Sequence, residues 1–394
     1  SVESFLLLSY KEIEIIVVND GSTDNTLSLL VDRFKLYEVP PAFSRSLMTR
    51  KVIAYYKSKL EPNLLVIDKE NGGKADALNT GVNACSSPYF MALDSDTIID
   101  RDALKRMIRP VLTTPNVVAA GATIRVANNC IVKNGRVVKI NYPQKFLPSI
   151  QVVEYLRAFL FGRLGWNKLG GNLVISGAFG LFNKFAVIEV GGYFVDTVGE
   201  DMELVVRLHK HFLSKNIEYN IVFVPDPIAW TEVPSDLKTI SSQRERWHRG
   251  LIDTLTRHKV MFLNDKFGKV GMISYPFFVL GEMLAPVIEL TGYIGLVIGL
   301  IMNVIDYQFA FLFFLSAWGL MFIITVFTIN MELISFRKYK KPIDFLKMIF
   351  YAIMENLGYR QLSVFWRIKA FWSIIRKEKG WGRMVRKGFA KEKH

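Results

Sequence analysis

Cysteine is scarce in this chain: 394 residues contain two, Cys85 and Cys130. They form no C-x-x-C pair and no Cys/His cluster, which excludes a disulfide framework and a structural zinc site. A secretory signal is not expected among these residues either. The sequence opens at Ser1 without an initiator Met, and a longer natural protein is expected. Charge is sparse too, at 22% Asp, Glu, Lys and Arg against 51% hydrophobic residues. With a mean hydropathy of +0.22, that balance is high for a purely soluble chain, and membrane segments are expected.

What charge there is lies unevenly. The formal net charge is +14, and residues 337–394 alone hold 16 Lys and Arg against 4 Asp and Glu, a local excess of 12. Beside apolar helices, and with aromatic residues that read as interfacial anchors, such a segment fits an anionic cytoplasmic leaflet rather than nucleic acid.

From Glu12 the pattern alternates. Ile13 to Val18 is a β-branched strand, Asn19 to Ser22 a turn, and Thr23 or Asp24 caps a helix running to about Tyr37. Leu64 to Asp68 is a second strand, Asn71-Gly72-Gly73 a loop, Lys74 to Ala84 a helix, and Tyr89 to Leu93 a third strand. Val117 to Val126 continues the sheet, and Gln151 to Gly165 is helical. Glu200 and Asp201 open a helix to about Phe212, and Ile221 to Val224 is a last strand before a Pro225-Asp226-Pro227 turn. Short buried strands alternating with helices predict an α/β, parallel, doubly wound sheet with ligands at the carboxyl ends of the strands.

A helix follows from Asp236 to Arg257, with an apolar stripe at Leu237, Ile240, Trp247, Leu251 and Leu255. Gln243, Arg246 and Trp247 stand at i, i+3 and i+4, so an amide, a guanidinium and an indole share one flank. Either this is a basic interfacial helix with a belt Trp, or the flank is a binding surface.

Val270 to Val304 holds only Glu282 and Glu289 as charges and predicts one long span kinked at Pro286. Tyr307 to Phe336 predicts a second span. The connection at 303–308 has no Lys or Arg, whereas Lys266, Lys269 and Arg337 to Lys341 flank the far ends, so both ends of this hairpin are expected in the cytoplasm. Ile343 to Ile375 is interrupted by charges and by Glu355-Asn356-Leu357-Gly358, which suggests a short spanning or re-entrant piece followed by an interfacial helix. The expected organisation is a cytosolic catalytic domain over 1–235, amphipathic interface helices over 236–269, transmembrane and interfacial helices over 270–376, and a basic cytosolic tail over 377–394.

Several turns carry candidate chemistry. In Asp94-Ser95-Asp96, residues i and i+2 of extended chain face one crevice, and paired carboxylates suit Mg2+ or Mn2+ held partly by substrate phosphates. A solvated or capping pair of Asp residues is the plainer alternative. Asp20 in Val18-Asn19-Asp20-Gly21-Ser22 ends a strand, where its carboxylate accepts either from a nucleotide or within an Asx-turn. Gly72-Gly73-Lys74 sets a flexible turn and a cation at a helix start, suited to phosphate without being a Walker loop. Ser176-Gly177-Ala178-Phe179-Gly180 breaks an apolar run with small residues, so a ligand or another element must approach the backbone there. Asp201 is either a capping acid or a general base toward a sugar hydroxyl.

Together these motifs, read as VNDGS, ALDSD, VGED and QRERW, closely resemble the D, D, D, QxxRW signature of the processive family 2 glycosyltransferases, the membrane-embedded synthases of cellulose, mixed-linkage β-glucan, chitin, hyaluronan and poly-N-acetylglucosamine. The resemblance covers about Ile13 to Gly250. It implies a GT-A-type nucleotide-sugar-binding domain and a UDP-sugar-dependent hexosyltransferase that uses Mg2+ or Mn2+. It further implies that Asp20, Lys74 and Asp94 bind the nucleotide, Asp96 the metal, and that Asp201 is the catalytic base. Gln243 and Arg246 would hold the pyrophosphate. Trp247 and the stretch Ser176, Gly177, Ala178 and Phe179 would face the acceptor. This stretch reads SGAFG where cellulose synthases have FFCGS, and no cyclic-di-GMP domain follows, so a related synthase is expected instead.

The sequence therefore predicts an inverting, processive, multi-pass enzyme of the plasma (inner) membrane with a cytosolic catalytic domain. It would polymerise a β-linked polysaccharide from a UDP-sugar, pass the nascent chain across the bilayer, and work alone or with an accessory membrane subunit. UDP-glucose is slightly preferred over UDP-N-acetylglucosamine. Alternatives are a non-processive family 2 transferase acting on a polyprenyl phosphate and a catalytically idle membrane binding protein.

Overall fold

The computed structural model describes residues 2–10, 12–43 and 45–376; the basic tail at 377–394 lies outside the described residues. In chain order the strands are β1 (Ile15–Asp20), β2 (Leu36–Val39), β3 (Val52–Ser58), β4 (Leu64–Lys69), β5 (Tyr89–Leu93), β6 (Ile98–Ile99), β7 (Val117–Val126), β8 (Ile131–Lys133), β9 (Arg136–Lys139), β10 (Phe179–Asn183) and β11 (Asn220–Thr231). The helices are α1 (Val2–Leu6), α2 (Thr26–Phe34), α3 (Lys74–Ala84), α4 (Ala103–Thr113), α5 (Phe146–Leu156), α6 (Leu164–Leu169), α7 (Lys184–Glu189), α8 (Glu200–Ser214), α9 (Leu237–Arg257), α10 (Tyr275–Phe277), α11 (Ala285–Ile301), α12 (Tyr307–Ser335), α13 (Pro342–Met354) and α14 (Arg360–Ile375).

Two compact units emerge, and they are not cut at 235. The first comprises 1–122, 134–136 and 173–224, and the second 123–133, 137–172 and 225–394. Strands β7 and β11 begin in the first and end in the second.

In the first unit, β1 pairs in parallel with β4, and β3 and β2 add antiparallel to give the order β1-β4-β3-β2. The alternation of strand and helix announced β1, α3, β4 and β5, but the β2–β3 hairpin carries no comparable signal. Sheet order in the second set is β5-β10-β7-β11-β6, with β10 antiparallel to both neighbours. The α/β class stands, while the sheets are mixed rather than all parallel. β7, VVAAGATIRV, is buried at every position, as a central strand covered on both faces must be.

The Pro225-Asp226-Pro227 segment lies inside β11 and is not a turn. Its neighbour β6 is only two residues long, so little of β11 has a ladder partner on that side, and strands with such an edge tolerate proline. The core of this unit joins Val82 of α3, Ala119 of β7, Phe182 of β10, and Leu204, Val205 and Leu208 of α8.

The second unit is helical. A continuous helix from α5 to α6 contains a π turn at Arg157–Arg163, and α9 packs along α14. α12 is long and apolar enough to cross a membrane. Val270–Met283 and Ala285–Ile301 pass that test together as a pair bent by 46°. The bend falls at Leu284, two residues before the expected kink at Pro286, which sits in the first turn of α11, where a missing N–H is tolerated. By length and composition there are thus one or two candidate spans among the described residues. The interruption at Glu355–Tyr359 is present as well: Leu357 and Gly358 leave helical geometry between α13 and α14, with Gly358 at φ 100°.

Candidate active site

In the first unit the candidate residues collect at strand ends and helix starts. β10 pairs with β5 so that Phe179 lies opposite Leu93, which brings the Ser176–Ala178 turn next to the Asp94 end of β5. Phe179 itself is fully buried, so the turn before it is what this stretch offers a ligand. The Gly177 peptide joins two charged groups: its N–H donates to Asp201 Oδ2 (2.8 Å) and its carbonyl accepts from Lys74 Nζ (3.3 Å). A Cβ at Gly177 would stand 2.9 Å from Lys74 Nζ and 3.0 Å from Asp201 Oδ2, which explains the small residue there.

Lys74, at the first turn of α3, also pairs with Asp94 (2.7 Å) and Glu200 (3.1 Å). Burial disfavours its ammonium, yet Asp94, Glu200 and Asp201 outweigh that and raise its pKa, so it stays charged. Asp201 Oδ1 accepts from the Met202 N–H (2.8 Å). With one backbone donor on each oxygen, the Asp201 carboxylate retains lone pairs for a substrate proton. Glu200 was not a sequence candidate although it precedes Asp201. Burial pushes its carboxyl up, Lys74 pulls it back, Asp201 pushes it up again, and the result is about 7. Lys74, Ser176, Gly177, Tyr193, Glu200 and Asp201 share the lining of one pocket.

Asp20 is engaged locally. Its carboxylate accepts from the N–H groups of Gly72 (2.9 Å) and Gly73 (2.7 Å) and from Lys69 Nζ (2.6 Å), tying the Gly72-Gly73-Lys74 loop to the end of β1. Lys69 is fully buried and pairs also with Asp76 (2.7 Å). Its only signal in the sequence is a cation closing a strand that is apolar over Leu64–Ile67, LLVIDK.

Asp94 and Asp96 follow β5, within the turn that begins there. Among the described residues, no group of three or more His, Cys, Asp or Glu could by itself hold a metal ion. Asp94 is paired with Lys74, and the Asp96 carboxylate is the hard-oxygen donor at this strand end that suits a Mg2+ or Mn2+ ion held mainly by phosphate oxygens.

In the second unit, Asp236 caps α9, accepting from the Thr239 N–H (2.9 Å). The buried face differs from the apolar stripe: Leu237 and Trp247 are exposed, whereas Ile240, Gln243, Arg244, His248 and Leu255 are buried. Polar residues turn inward because partners meet them. Arg244 pairs with Glu154 of α5 (2.7 Å) and donates to the Tyr359 hydroxyl (3.3 Å). Arg367 of α14 donates to His248 Nδ1 (3.3 Å), and burial together with that guanidinium pushes the imidazole down to about 3, keeping it neutral. The Arg244 guanidinium lies 4.6 Å from the Trp247 ring centroid, supporting one face of a half-exposed indole. Gln243 Oε1 is buried without a hydrogen-bond partner among the described residues.

Residues 89–334 match the family model described as "Glycosyl transferase family group 2", and 1–41 match "Glycosyl transferase family 2". The chain belongs to the family 2 glycosyltransferases. This family 2 chain is 30% identical over 281 residues to the poly-β-1,6-N-acetyl-D-glucosamine synthase of Staphylococcus aureus (strain COL), covering 71% of this chain and 56% of that protein. It thus spans about half the length of that relative. To the synthase of the same name from Staphylococcus epidermidis it is 27% identical over 394 residues, with 96% and 81% covered. A mannosyltransferase from Pyrobaculum calidifontis, solved in complex with GDP-Man and Mn2+, superposes with a TM-score of 0.53 at 16% identity over 91% of this chain and 82% of that one. That likeness shows the shared GT-A-like fold.

Proposed function

We propose that this chain is an inverting, processive synthase that polymerises a β-linked polysaccharide from a UDP-sugar. UDP-N-acetylglucosamine is favoured as donor: the residues left glucose and N-acetylglucosamine open with glucose slightly ahead, and the named products of the relatives tip the balance the other way. The observation that carries the reading is the Gly177 peptide bridge, which sets a cation, Lys74, and a carboxylate with open lone pairs, Asp201, about one pocket.

Asp201 removes the proton of the acceptor hydroxyl as its oxygen bonds to the anomeric carbon. The bond from that carbon to the diphosphate oxygen breaks, and its electron pair leaves with UDP. Lys74 meets diphosphate charge, and Asp94 and Asp20 support the nucleotide. Asp96 would hold Mg2+ or Mn2+, which supplies neutralising charge at the diphosphate. Gln243 and Arg246 bind the pyrophosphate; Trp247 stacks under a pyranose face, and the Ser176–Ala178 turn contacts the acceptor. The spans pair as a hairpin with both ends cytoplasmic in the plasma membrane, on the charge asymmetry around them.

Membranes bearing the chain, supplied with UDP-N-acetylglucosamine or UDP-glucose and Mg2+ or Mn2+, are expected to release UDP. Asp201→Asn should lower that release by at least about 100-fold, the scale of a lost general base; release at the wild-type rate would overturn the assignment.

A further inference from the structure

Tyr193 stands in the same pocket without a role in the reaction just described. It is 3% exposed, and its hydroxyl oxygen has no hydrogen-bond partner among the described residues. A buried hydroxyl left unpaired carries the full cost of its lost hydration, so an orphan at a pocket wall calls for an explanation. Its position is firmly fixed. The Tyr193 N–H donates to Asn79 Oδ1 (2.7 Å), its carbonyl accepts from Asn79 Nδ2 (2.9 Å), and its ring meets Phe182 edge to face at 6.1 Å. Asn79 lies on α3, the helix that begins at Lys74, so the phenol and the cation share one rigid support.

Resting on the reading of this pocket as the sugar-transfer site, we propose that the Tyr193 hydroxyl is a sugar-binding group that donates a hydrogen bond to a ring hydroxyl of the transferred sugar, whose own O–H donates a hydrogen bond to Glu200. The chemistry matches on both sides. Burial, followed by the charges of Glu200 and Asp201, raises the phenol's pKa, so it remains a proton donor at every working pH. A sugar hydroxyl accepts and donates at once, which suits a phenol donor flanked by carboxylate acceptors.

The test compares wild type with Tyr193→Phe in the full-length membrane protein, using UDP-N-acetylglucosamine and its 3-, 4- and 6-deoxy analogues. Removing an unpaired buried oxygen for purely structural reasons should leave turnover unchanged and thermal stability equal or higher. The expected result is a loss of roughly 10–100-fold in kcat/KM with thermal stability and UDP affinity retained, the scale of a buried group left without its hydrogen-bond partner. One deoxy analogue should suffer a similar loss in wild type and no further loss in Tyr193→Phe. Equal kcat/KM in wild type and Tyr193→Phe, or a full deoxy penalty persisting in the variant, overturns the proposal. Failure of wild type to turn over any UDP-sugar would instead overturn the underlying reading. If the variant is unstable, wild type alone decides: undiminished turnover of all three deoxy analogues overturns the proposal.

Discussion

At the scale of single residues, the site is built from charges that constrain one another. Glu200 is the most informative, because a carboxyl held near 7 beside Lys74 and Asp201 titrates within the working range of the protein. Folding raises this group above its ordinary 4.5, so the folded chain binds a proton that the unfolded chain has released. Its contribution to stability is whole below pH 4.5 and is lost as pH rises through about 7. Lys74, raised further in its own basic range, adds no slope there. Thermal midpoints of the purified protein should therefore fall between these pH values more steeply for wild type than for Glu200→Gln. Parallel curves would show that the carboxyl does not titrate in that window. Neither Glu200 nor Lys69 was legible as a site residue, because nothing in a linear pattern says which cation a buried carboxylate will meet. Asp201, Lys74 and Gly177 were legible, since helix starts and small-residue interruptions carry local signals.

At the scale of elements, α9 shows how a helix with a polar composition is buried. Read by apolar spacing, its inward side runs through Leu237 and Trp247; folded, the inward side holds Arg244 and His248 and leaves Trp247 half-exposed. The reason lies in α5 and α14, whose Glu154 and Arg367 supply the partners that make burial of charge tolerable. Trp247 consequently presents one ring face outward while Arg244 braces the other. Arg244→Met is expected to lower stability toward the lower end of the roughly 3–5 kcal/mol typical of a broken buried pair, since Glu154 is partly exposed. It should also shorten the polymer product while leaving UDP binding intact. Polymer length equal to wild type, measured by gel filtration of labelled product, would separate Trp247 from any dependence on Arg244. Elsewhere the element boundaries followed the sequence closely: α3 and β5 begin and end where glycine, turn and apolar run predict.

At the scale of the whole molecule, α12 and the bent pair from Val270 to Ile301 give one or two candidate crossings, and the charge pattern around them is what supports the proposed orientation. Val304, three-quarters exposed between α11 and α12, marks the connection. Because Cys85 and Cys130 are both buried, an introduced thiol is readily distinguished. In intact cells an impermeant maleimide should label Val304→Cys and spare Lys266→Cys. Labelling of Lys266→Cys alone would reverse the proposed orientation.

The sequence by itself determined the α/β class, the order of the D, D, D, QxxRW motifs, the membership in family 2 that they announced, and the apolar lengths of the candidate spans. These properties are local or additive: a turn needs its glycine, a strand its β-branched residues, a span its hydropathy. Only the tertiary structure decided that 123–133 and 137–172 belong with the helical unit, that β10 runs antiparallel between β5 and β7, and that one peptide, at Gly177, ties Lys74 to Asp201. Those outcomes depend on contacts between residues about 25 to 100 positions apart, where pairing register and charge neutralisation are settled jointly by every packed element.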